Sequence, residues 1–142
     1  MCRCVFCRIV SKELEAYLVY EDSSTLAFLD HSPVAKGHVL VVPRRHVELI
    51  YNLEKQEVQG YFEVVRRAAA AVKEACLSQG VLLLNNNVVG QSVPHLHFHV
   101  VPRDRGDSIG WRSWHHVTYK AHEAKEFAYR IASSPAWDAD RP

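Results

Sequence analysis

The sequence contains no long hydrophobic run: nowhere do about 18 apolar residues follow one another, as a membrane-spanning helix requires. Its first seven residues, from Met1 to Cys7, include an arginine but no apolar stretch of the length found in a secretory signal peptide. We therefore expect a protein of the cytoplasm that does not enter a membrane. In that reducing compartment, cysteines serve as thiols or as metal ligands, and not as a disulfide framework.

Neither sign of charge is in excess, since 17 Lys and Arg face 16 Asp and Glu. A general nucleic-acid-binding domain would carry a basic excess or stripe, so we expect no such binding. Glycine and proline are also scarce, with six of each, which argues against collagen-like and disordered chains. A chain of 142 residues can bury a real core as one domain. We predict that this domain spans residues 1–134 and that residues 135–142 are a frayed tail.

Hydrophobic periodicity predicts the order of the elements. Strands are expected at 18–20, 25–29, 38–43, 81–84 and 95–101, the first two forming a hairpin. A long helix is expected at about 54–79, with Asn52 as N-cap and Gly80 as its C-terminal stop, and a shorter helix at about 119–132. This order lacks strict strand–helix–strand alternation. It predicts an α+β fold with a mainly antiparallel sheet, one long helix and a shorter C-terminal helix.

What the sequence has in abundance is histidine, with nine residues, alongside four cysteines. Three of these histidines alternate with apolar residues in the run His95-Leu96-His97-Phe98-His99-Val100-Val101. Because side chains on a strand alternate between faces, the three histidines share one face and the apolar residues point into the core. Same-face neighbours on a strand lie about 6.6–6.8 Å apart, so one metal ion cannot bind all three imidazoles.

Three imidazoles on one face of a strand suggest that each has a different chemical role. The middle ring suits nucleophilic attack, because its ordinary pKa of about 6.5 leaves it mostly neutral at pH 7. A second histidine could bind developing negative charge or transfer a proton. The alternative is a half-exposed strand whose histidines only contact water. Strict alternation, with Gly90-Gln91-Ser92 leading into it, favours the catalytic interpretation.

The run from His95 to Val101 matches the histidine-triad signature, His-φ-His-φ-His-φ-φ with φ apolar, at every position. Residues 27–33, 37–46 and 85–87 agree with the same pattern. From about Cys4 to Arg103, the chain resembles Hint-type and bacterial members of the histidine-triad (HIT) superfamily. The resemblance implies a HIT-like fold, a homodimer, and a nucleotide hydrolase or transferase that acts at an α-phosphate.

The resemblance also implies a catalytic set. His97 matches the nucleophile, which forms a nucleotidyl-histidine intermediate that water then cleaves. His99 matches the residue that stabilises charge beside the α-phosphate, and His38 matches a histidine that supports the triad. Gln91 and Ser92 match contacts to the phosphate and the leaving group. No catalytic metal is required in this scheme.

A substrate-binding set follows from the same resemblance. Asp30 matches the carboxylate that binds the ribose hydroxyls, while Phe28 and Leu29 line the base pocket. Gly90 allows close approach of the backbone, and Asn87 matches an asparagine near the phosphate. Structural alternatives stay open, because Asp30 could be only a turn residue and Phe28 only a core residue.

Two departures from the family pattern stand out. The segment between Asn87 and Gly90 is only two residues long, shorter than in many relatives, which puts the phosphate role of Asn87 in doubt. His31 occupies a position where relatives often carry an aliphatic residue, and it could alter nucleotide preference.

Cys4 and Cys7 form a C-x-x-C pair, which alone is compatible with a redox, structural or incidental role. The bacterial relatives suggest His46 and His95 as completing ligands. Together the four would form a closed Cys₂His₂ site for structural zinc, with free thiols as the alternative. Cys2 and Cys76 are not needed for this site.

The remaining expectations concern the substrate, the alternative functions and the dimer interface. The substrate is a purine nucleotide with an AMP or GMP moiety: a nucleoside phosphoramidate, an adenylylated small molecule or a dinucleoside polyphosphate. The alternatives are a nucleotide-binding or signalling module with little catalysis, and a nucleotidyltransferase. The apolar face of the helix at 54–79 is the expected dimer interface. Trp111 and Trp114 could stack on the substrate, although packing against the C-terminal helix is favoured.

Overall fold

The computed structural model of the chain describes residues 3–110 and 113–138. Within this part of the chain lie three α-helices and five strands. In chain order they are α1 (Val5–Val10), β1 (Leu18–Glu21), β2 (Thr25–Leu29), β3 (Val39–Pro43), α2 (Lys55–Ala75), β4 (Gly80–Leu84), β5 (Phe98–Arg103) and α3 (Glu123–Ala132). Short 3-10 helices form at Ile50–Asn52 and Pro135–Trp137. No helix in the described residues is long and apolar enough to cross a membrane.

The strands form one sheet in the order β1-β2-β3-β5-β4, and every neighbouring pair is antiparallel. The predicted α+β fold with an antiparallel sheet is therefore confirmed. The turn between β1 and β2 is closed by Asp22, whose Oδ1 accepts hydrogen bonds from the backbone N–H groups of Ser24 and Thr25, each at 2.8 Å. A short acidic side chain in this position stabilises the tight turn that the sequence predicts.

Each face of the sheet has its own apolar core. Leu29, Val39 and Val100 face α2 and α3 in the main core, and Leu96 and Phe98 pack on the same side. On the opposite face, Phe6 of α1 forms a second core with four strand residues: Leu26, Phe28, Leu40 and Val42. Because Phe28 pairs with Leu40 and Leu40 pairs with His99, the last histidine of the run faces α1. The predicted division into a histidine face and an apolar face is confirmed.

The long helix is shorter than the predicted 54–79. Glu54 is its N-cap and its backbone N–H donates to the Glu57 carboxylate at 2.9 Å, whereas the predicted cap Asn52 belongs to a 3-10 helix. The helix ends at Ala75, and Leu77 adopts the left-handed conformation with φ of 53°. Leu77 therefore takes the place that the sequence suggested for Gly80, which instead begins β4.

The apolar face of α2 is the expected dimer interface, and this expectation stays a prediction. Its apolar side chains are buried within the chain, at Tyr61, Val64, Val65, Ala68, Ala71 and Val72. What remains exposed on the helix is Val58 and Phe62, at 41% and 39%.

Three further boundaries differ from prediction. β5 begins at Phe98 and not at residue 95, so His95 and His97 precede the strand. The last helix begins at Glu123 and not near residue 119. In the tail that was expected to fray, Pro135–Trp137 form a 3-10 helix, and the Trp137 ring stacks on Tyr20 at 4.6 Å between centroids. Residues 139–142 lie outside the described part of the chain.

Candidate active site

The middle histidine of the run is held in one tautomer. Nδ1 of His97 lies 2.7 Å from the backbone oxygen of His95, and since a carbonyl can only accept, Nδ1 carries the proton. Burial lowers the pKa of His97, which favours the neutral ring at pH 7. The lone pair of a neutral ring then lies on Nε2. His97 is therefore prepared to donate an electron pair from Nε2.

The last histidine of the run is fixed through His38. The backbone N–H of Val34 donates to Nδ1 of His38 at 3.1 Å, so the proton of the neutral ring lies on Nε2. Nε2 of His38 donates in turn to Nδ1 of His99 at 2.9 Å, and it lies 3.6 Å from Oδ2 of Asp30. His99 must then carry its proton on Nε2. In this relay, the N–H on Nε2 of His99 is therefore not used by His38 and can donate a hydrogen bond to a ligand.

Burial keeps both rings of this relay neutral. It lowers the pKa of His38, against the opposing influence of the Asp30 carboxylate. It also lowers the pKa of His99 to about 4, with a contribution from His97. The rings of His97 and His99 are 4.9 Å apart between centroids. The site thus places an electron-pair donor beside a hydrogen-bond donor, an arrangement suited to group transfer through a covalent intermediate.

Asn87 lies behind the site and bonds within the fold. Its Oδ1 accepts from the backbone N–H of Ile50 at 2.8 Å, and its Nδ2 donates to Oδ1 of Asn85 at 2.6 Å. Asn85 donates through Nδ2 to the backbone oxygen of His97 at 2.9 Å. Both ends of the Asn87 amide are therefore used to hold the backbone that carries the triad, and its contact with phosphate stays a prediction.

The loop that leads into the triad contains Gly90, Gln91 and Ser92. Gly90 has a φ of +77°, in the left-handed region that favours glycine. The Gln91 amide accepts from the backbone N–H of Val88 at 3.0 Å and donates to the backbone oxygen of Glu48 at 2.7 Å. Ser92 is exposed. The predicted contacts of these residues with phosphate and leaving group remain predictions.

A cavity of about 950 Å³ opens beside Asp30 on the α1 face of the sheet. The three predicted residues of the nucleoside pocket, Phe28, Leu29 and Asp30, all line it. Phe28 and Leu29 are also core residues, and Asp30 also accepts from the backbone N–H of Ser32 at 2.9 Å. The positions of these residues therefore fit both a structural role and a role in binding. His31 lies at the rim with 93% of its side chain exposed.

The four predicted metal ligands, Cys4, Cys7, His46 and His95, lie together. Each offers one donor atom, and these atoms lie within 4.8 Å of one another. Sγ of Cys4 is 3.4 Å from Nδ1 of His95, and Sγ of Cys7 is 3.2 Å from Nδ1 of His46. Nε2 of His95 donates to the backbone oxygen of Pro43 at 2.8 Å, so its lone pair on Nδ1 points at the thiols. The donor set and its orientation fit a metal ion.

Among the described residues, the remaining cysteine, Cys76, does not join this cluster. Cys76 is the C-cap of α2, where burial raises the pKa of its thiol to about 11. Cys2 lies outside the described residues.

Two aromatic residues lie at the site: Trp114, for which packing against the C-terminal helix was favoured, and Phe6, which sequence reasoning missed. The Trp114 ring lies 5.9 Å from the ring of His38 and 5.7 Å from that of His99, so its aromatic contacts are with the site and not with α3. Its segment is irregular and gives no periodic signal; Trp111 lies outside the described residues. Phe6 lies between the two cysteines of the C-x-x-C pair, and its ring is 5.1 Å from that of His97.

Comparison with known proteins agrees with this geometry. The HIT domain family matches residues 11–106. Protein hit of Bacillus subtilis is 39% identical over 140 residues, covering 92% of this chain and 96% of that protein. An adenosine 5'-monophosphoramidase of Schizosaccharomyces pombe is 32% identical over 114 residues, covering 78% of this chain and 84% of that protein.

A solved structure is similar over nearly the whole chain. It is a Zn-bound histidine triad family protein from Mycobacterium smegmatis, with a TM-score of 0.77 and 32% identity, covering 92% of this chain and 94% of that one. The antiparallel sheet, the triad and the sequence similarity lead to one conclusion: the chain belongs to the histidine-triad (HIT) family.

Proposed function

We propose that this protein is a nucleotide hydrolase that cleaves at the α-phosphate of purine nucleoside phosphoramidates, adenylylated small molecules or dinucleoside polyphosphates. The observation that carries the proposal is the tautomer pair, a lone pair on Nε2 of His97 beside an N–H on Nε2 of His99. A cavity of about 950 Å³ with a carboxylate in its wall lies on the same face. The similarity to a yeast adenosine 5'-monophosphoramidase supports this substrate class.

In the first step, the lone pair on Nε2 of His97 attacks the α-phosphorus. The bond from phosphorus to the leaving group breaks, and the leaving group departs with the electron pair and takes up a proton from solvent. The hydrogen bond from Nδ1 of His97 to the carbonyl of His95 holds the ring in line and stabilises the positive charge that it acquires. The product of this step is a nucleotidyl-His97 intermediate.

In the second step, water attacks the same phosphorus and loses its proton to solvent. The phosphorus–nitrogen bond breaks and returns the electron pair to Nε2 of His97. In both steps the N–H on Nε2 of His99 stabilises negative charge on the phosphoryl oxygens. The proposal assigns no step to a metal ion.

The rest of the substrate is bound around this pair. Asp30 accepts hydrogen bonds from the ribose hydroxyls, and Phe28 and Leu29 contact the purine base, since all three line the cavity. Gln91 and Ser92 contact the phosphate and the leaving group, Gly90 allows the backbone to approach them, and Asn87 lies nearby.

We also propose that Cys4, Cys7, His46 and His95 bind zinc as a structural ion. Two thiolates and two imidazoles form a closed tetrahedral set that zinc prefers. The similarity to a Zn-bound family member supports this assignment. A cytoplasmic location, where thiols stay reduced, is part of the same proposal.

A homodimer completes the proposal. Val58 and Phe62 remain exposed on α2, and β4 lies at the edge of the sheet. An exposed strand edge beside apolar side chains is a surface that a second copy can cover. Light scattering of the protein in solution measures the mass directly.

The proposed chemistry is tested with His97→Asn. We measure turnover of an adenosine phosphoramidate, a guanosine phosphoramidate and a dinucleoside polyphosphate, with mass spectra of the quenched reactions. Turnover should fall by at least about 10³-fold, because no other group supplies the lone pair, while AMP still binds. His122→Asn is the control, since His122 lies at the start of α3 in a left-handed conformation that asparagine tolerates.

Unchanged turnover in His97→Asn overturns the mechanism. Absence of a nucleotidyl adduct and of turnover in the unaltered protein, across all three substrates, favours a nucleotide-binding module instead.

A further inference from the structure

Helix α1 lies between the metal cluster and the substrate cavity and contributes residues to both. We propose that α1 couples metal binding to nucleotide binding, and that Phe6 is the positioning residue that joins the two sites. This inference rests on the proposed nucleotide site and on the proposed zinc. It assigns the metal a part in substrate affinity in addition to stability.

The helix cannot hold this position by itself. It has six residues, and the side chain of its N-cap, Cys4, makes no capping hydrogen bond. Isolated helices shorter than about 12–15 residues are marginal in water. The place of α1 on the sheet must therefore come from contacts with distant parts of the chain.

On one side, those contacts are the metal ligands. Cys4 and Cys7 come from α1 and its cap, whereas His46 follows β3 and His95 precedes β5. The thiol–imidazole pairs span 39 residues between Cys7 and His46 and 91 residues between Cys4 and His95. A metal ion bound by all four therefore ties the helix to the sheet.

On the other side, the contacts belong to the substrate site. The Phe6 ring is 5% exposed and meets three rings edge-to-face, at 5.5 Å for Phe28, 5.7 Å for His95 and 5.1 Å for His97. Phe6 and Ile9 also line the cavity together with Phe28. One aromatic side chain thus contacts a metal ligand, the proposed nucleophile and the pocket wall.

Two ligands that both require α1 in place are thermodynamically linked. If the metal is removed, part of the free energy of nucleotide binding goes into docking the helix, and affinity falls. Couplings of this kind are typically about 5–150-fold and are equal in both directions. We expect AMP to bind about tenfold more weakly to zinc-free than to zinc-loaded protein. Zinc should be held about tenfold more tightly when AMP is bound.

The experiment is calorimetric titration of zinc-loaded and chelator-treated protein with AMP and with GMP. A chromophoric chelator in competition measures zinc affinity with and without AMP. Circular dichroism establishes that both forms are folded. An AMP affinity that changes less than about twofold on zinc removal, in folded protein, overturns the coupling.

The role of Phe6 is tested in the same titrations. Zinc-loaded Phe6→Ala should bind AMP as weakly as the zinc-free parent, and zinc should then change its affinity less than about twofold. Phe6→Leu retains most of the volume and should restore part of the effect. Metal analysis should find zinc retained in both variants. Tyr129→Ala is the matched control, because Tyr129 is 74% exposed on α3 and should leave the tenfold effect intact. A full zinc effect in Phe6→Ala overturns the assignment of Phe6.

A separate readout distinguishes this inference from the proposed function. If zinc-loaded protein binds neither AMP nor GMP, the proposed function is wrong. The ring-proton NMR signals of Phe28 then report the coupling, since Phe28 lines the cavity and meets Phe6 at 5.5 Å. A shift of these signals on zinc removal supports the link from the metal to the pocket, and unchanged signals overturn it.

Discussion

Two groups of histidines lie side by side on the α1 face of the sheet and are built from the same kind of contact. In each, a backbone group fixes the tautomer: the oxygen of Pro43 for His95, and the N–H of Val34 for His38. Burial lowers the pKa of His95 and of His99 to about 4. What differs is where the remaining nitrogen points.

In the proposed metal group (Cys4, Cys7, His46 and His95), Nδ1 of His95 faces the two thiols. In the proposed catalytic group (His38, His97 and His99), Nε2 of His97 and Nε2 of His99 are not used by the backbone or by His38. The comparison teaches that the role of a histidine here is set by the partner of its second nitrogen, and not by its burial or its pKa.

The largest effect that separates the groups is expected from His99→Leu, which removes the ring N–H. Loss of the N–H donor at the phosphoryl oxygens should lower kcat by about 10²–10³-fold, as for other oxyanion donors. Zinc content should stay at the level of the parent protein. Steady-state kinetics and metal analysis measure the two properties. Loss of zinc in this variant would show that the two groups are not separate.

Cys7→Ser should have the opposite profile. Loss of one thiolate weakens zinc binding, and because metal binding contributes directly to folding, the thermal midpoint should fall by about 10 °C. At saturating nucleotide, kcat should fall less than about tenfold, since Cys7 supplies no group to the reaction. Calorimetry with and without added zinc measures the change. A kcat that falls as far as in His99→Leu contradicts the comparison.

Asn87→Ala tests whether the catalytic group depends on the backbone behind it. Removing the amide leaves the N–H of Ile50 unpaired and frees Asn85, so the free energy of unfolding should fall by about 2 kcal/mol. Asn86→Ala is the control, because its one hydrogen bond, to the oxygen of Gly90 at 3.2 Å, is exposed. Urea unfolding of both variants measures the two free energies of unfolding. Equal decreases in the two variants would contradict the structural role of Asn87.

The smallest effect concerns pH. The pKa of His99 is about 4 in the fold and about 6.5 in the unfolded chain, so between these values the unfolded chain binds more protons. Its contribution to stability is complete above pH 6.5 and is lost as pH falls toward 4. In His99→Leu, the loss of unfolding free energy between pH 7 and pH 5 should be smaller by just under about 2 kcal/mol. Urea unfolding at both pH values measures it, and identical losses contradict the neutral relay.

The local sequence pattern was sufficient to predict the sheet and the face on which the histidines lie. The alternation of residues around His97 correctly predicted that the histidines and Leu96 lie on opposite faces of the sheet. The prediction holds although His95 and His97 precede β5. Local pattern failed at the helix end, where Leu77 adopts a conformation that the sequence suggested for a glycine.

The elements that escaped prediction are those held by distant partners. A six-residue helix gives no periodic signal, and α1 is placed by His46 and His95, which are far away in sequence. The Trp114 ring contacts that of His99, and three residues further on the backbone N–H of Val117 donates to the oxygen of the distant Pro33 at 2.7 Å. Neither contact could be derived from neighbouring residues.

His95 has a consequence for anyone who redesigns this scaffold. Its Nδ1 faces the thiols, its Nε2 donates to the backbone oxygen of Pro43, and its backbone oxygen accepts from Nδ1 of His97. The backbone contact survives any side chain, whereas the two ring contacts do not. To remove the proposed metal site, Cys4, Cys7 and His46 should therefore be replaced before His95, because the ring of His95 also holds the backbone of Pro43.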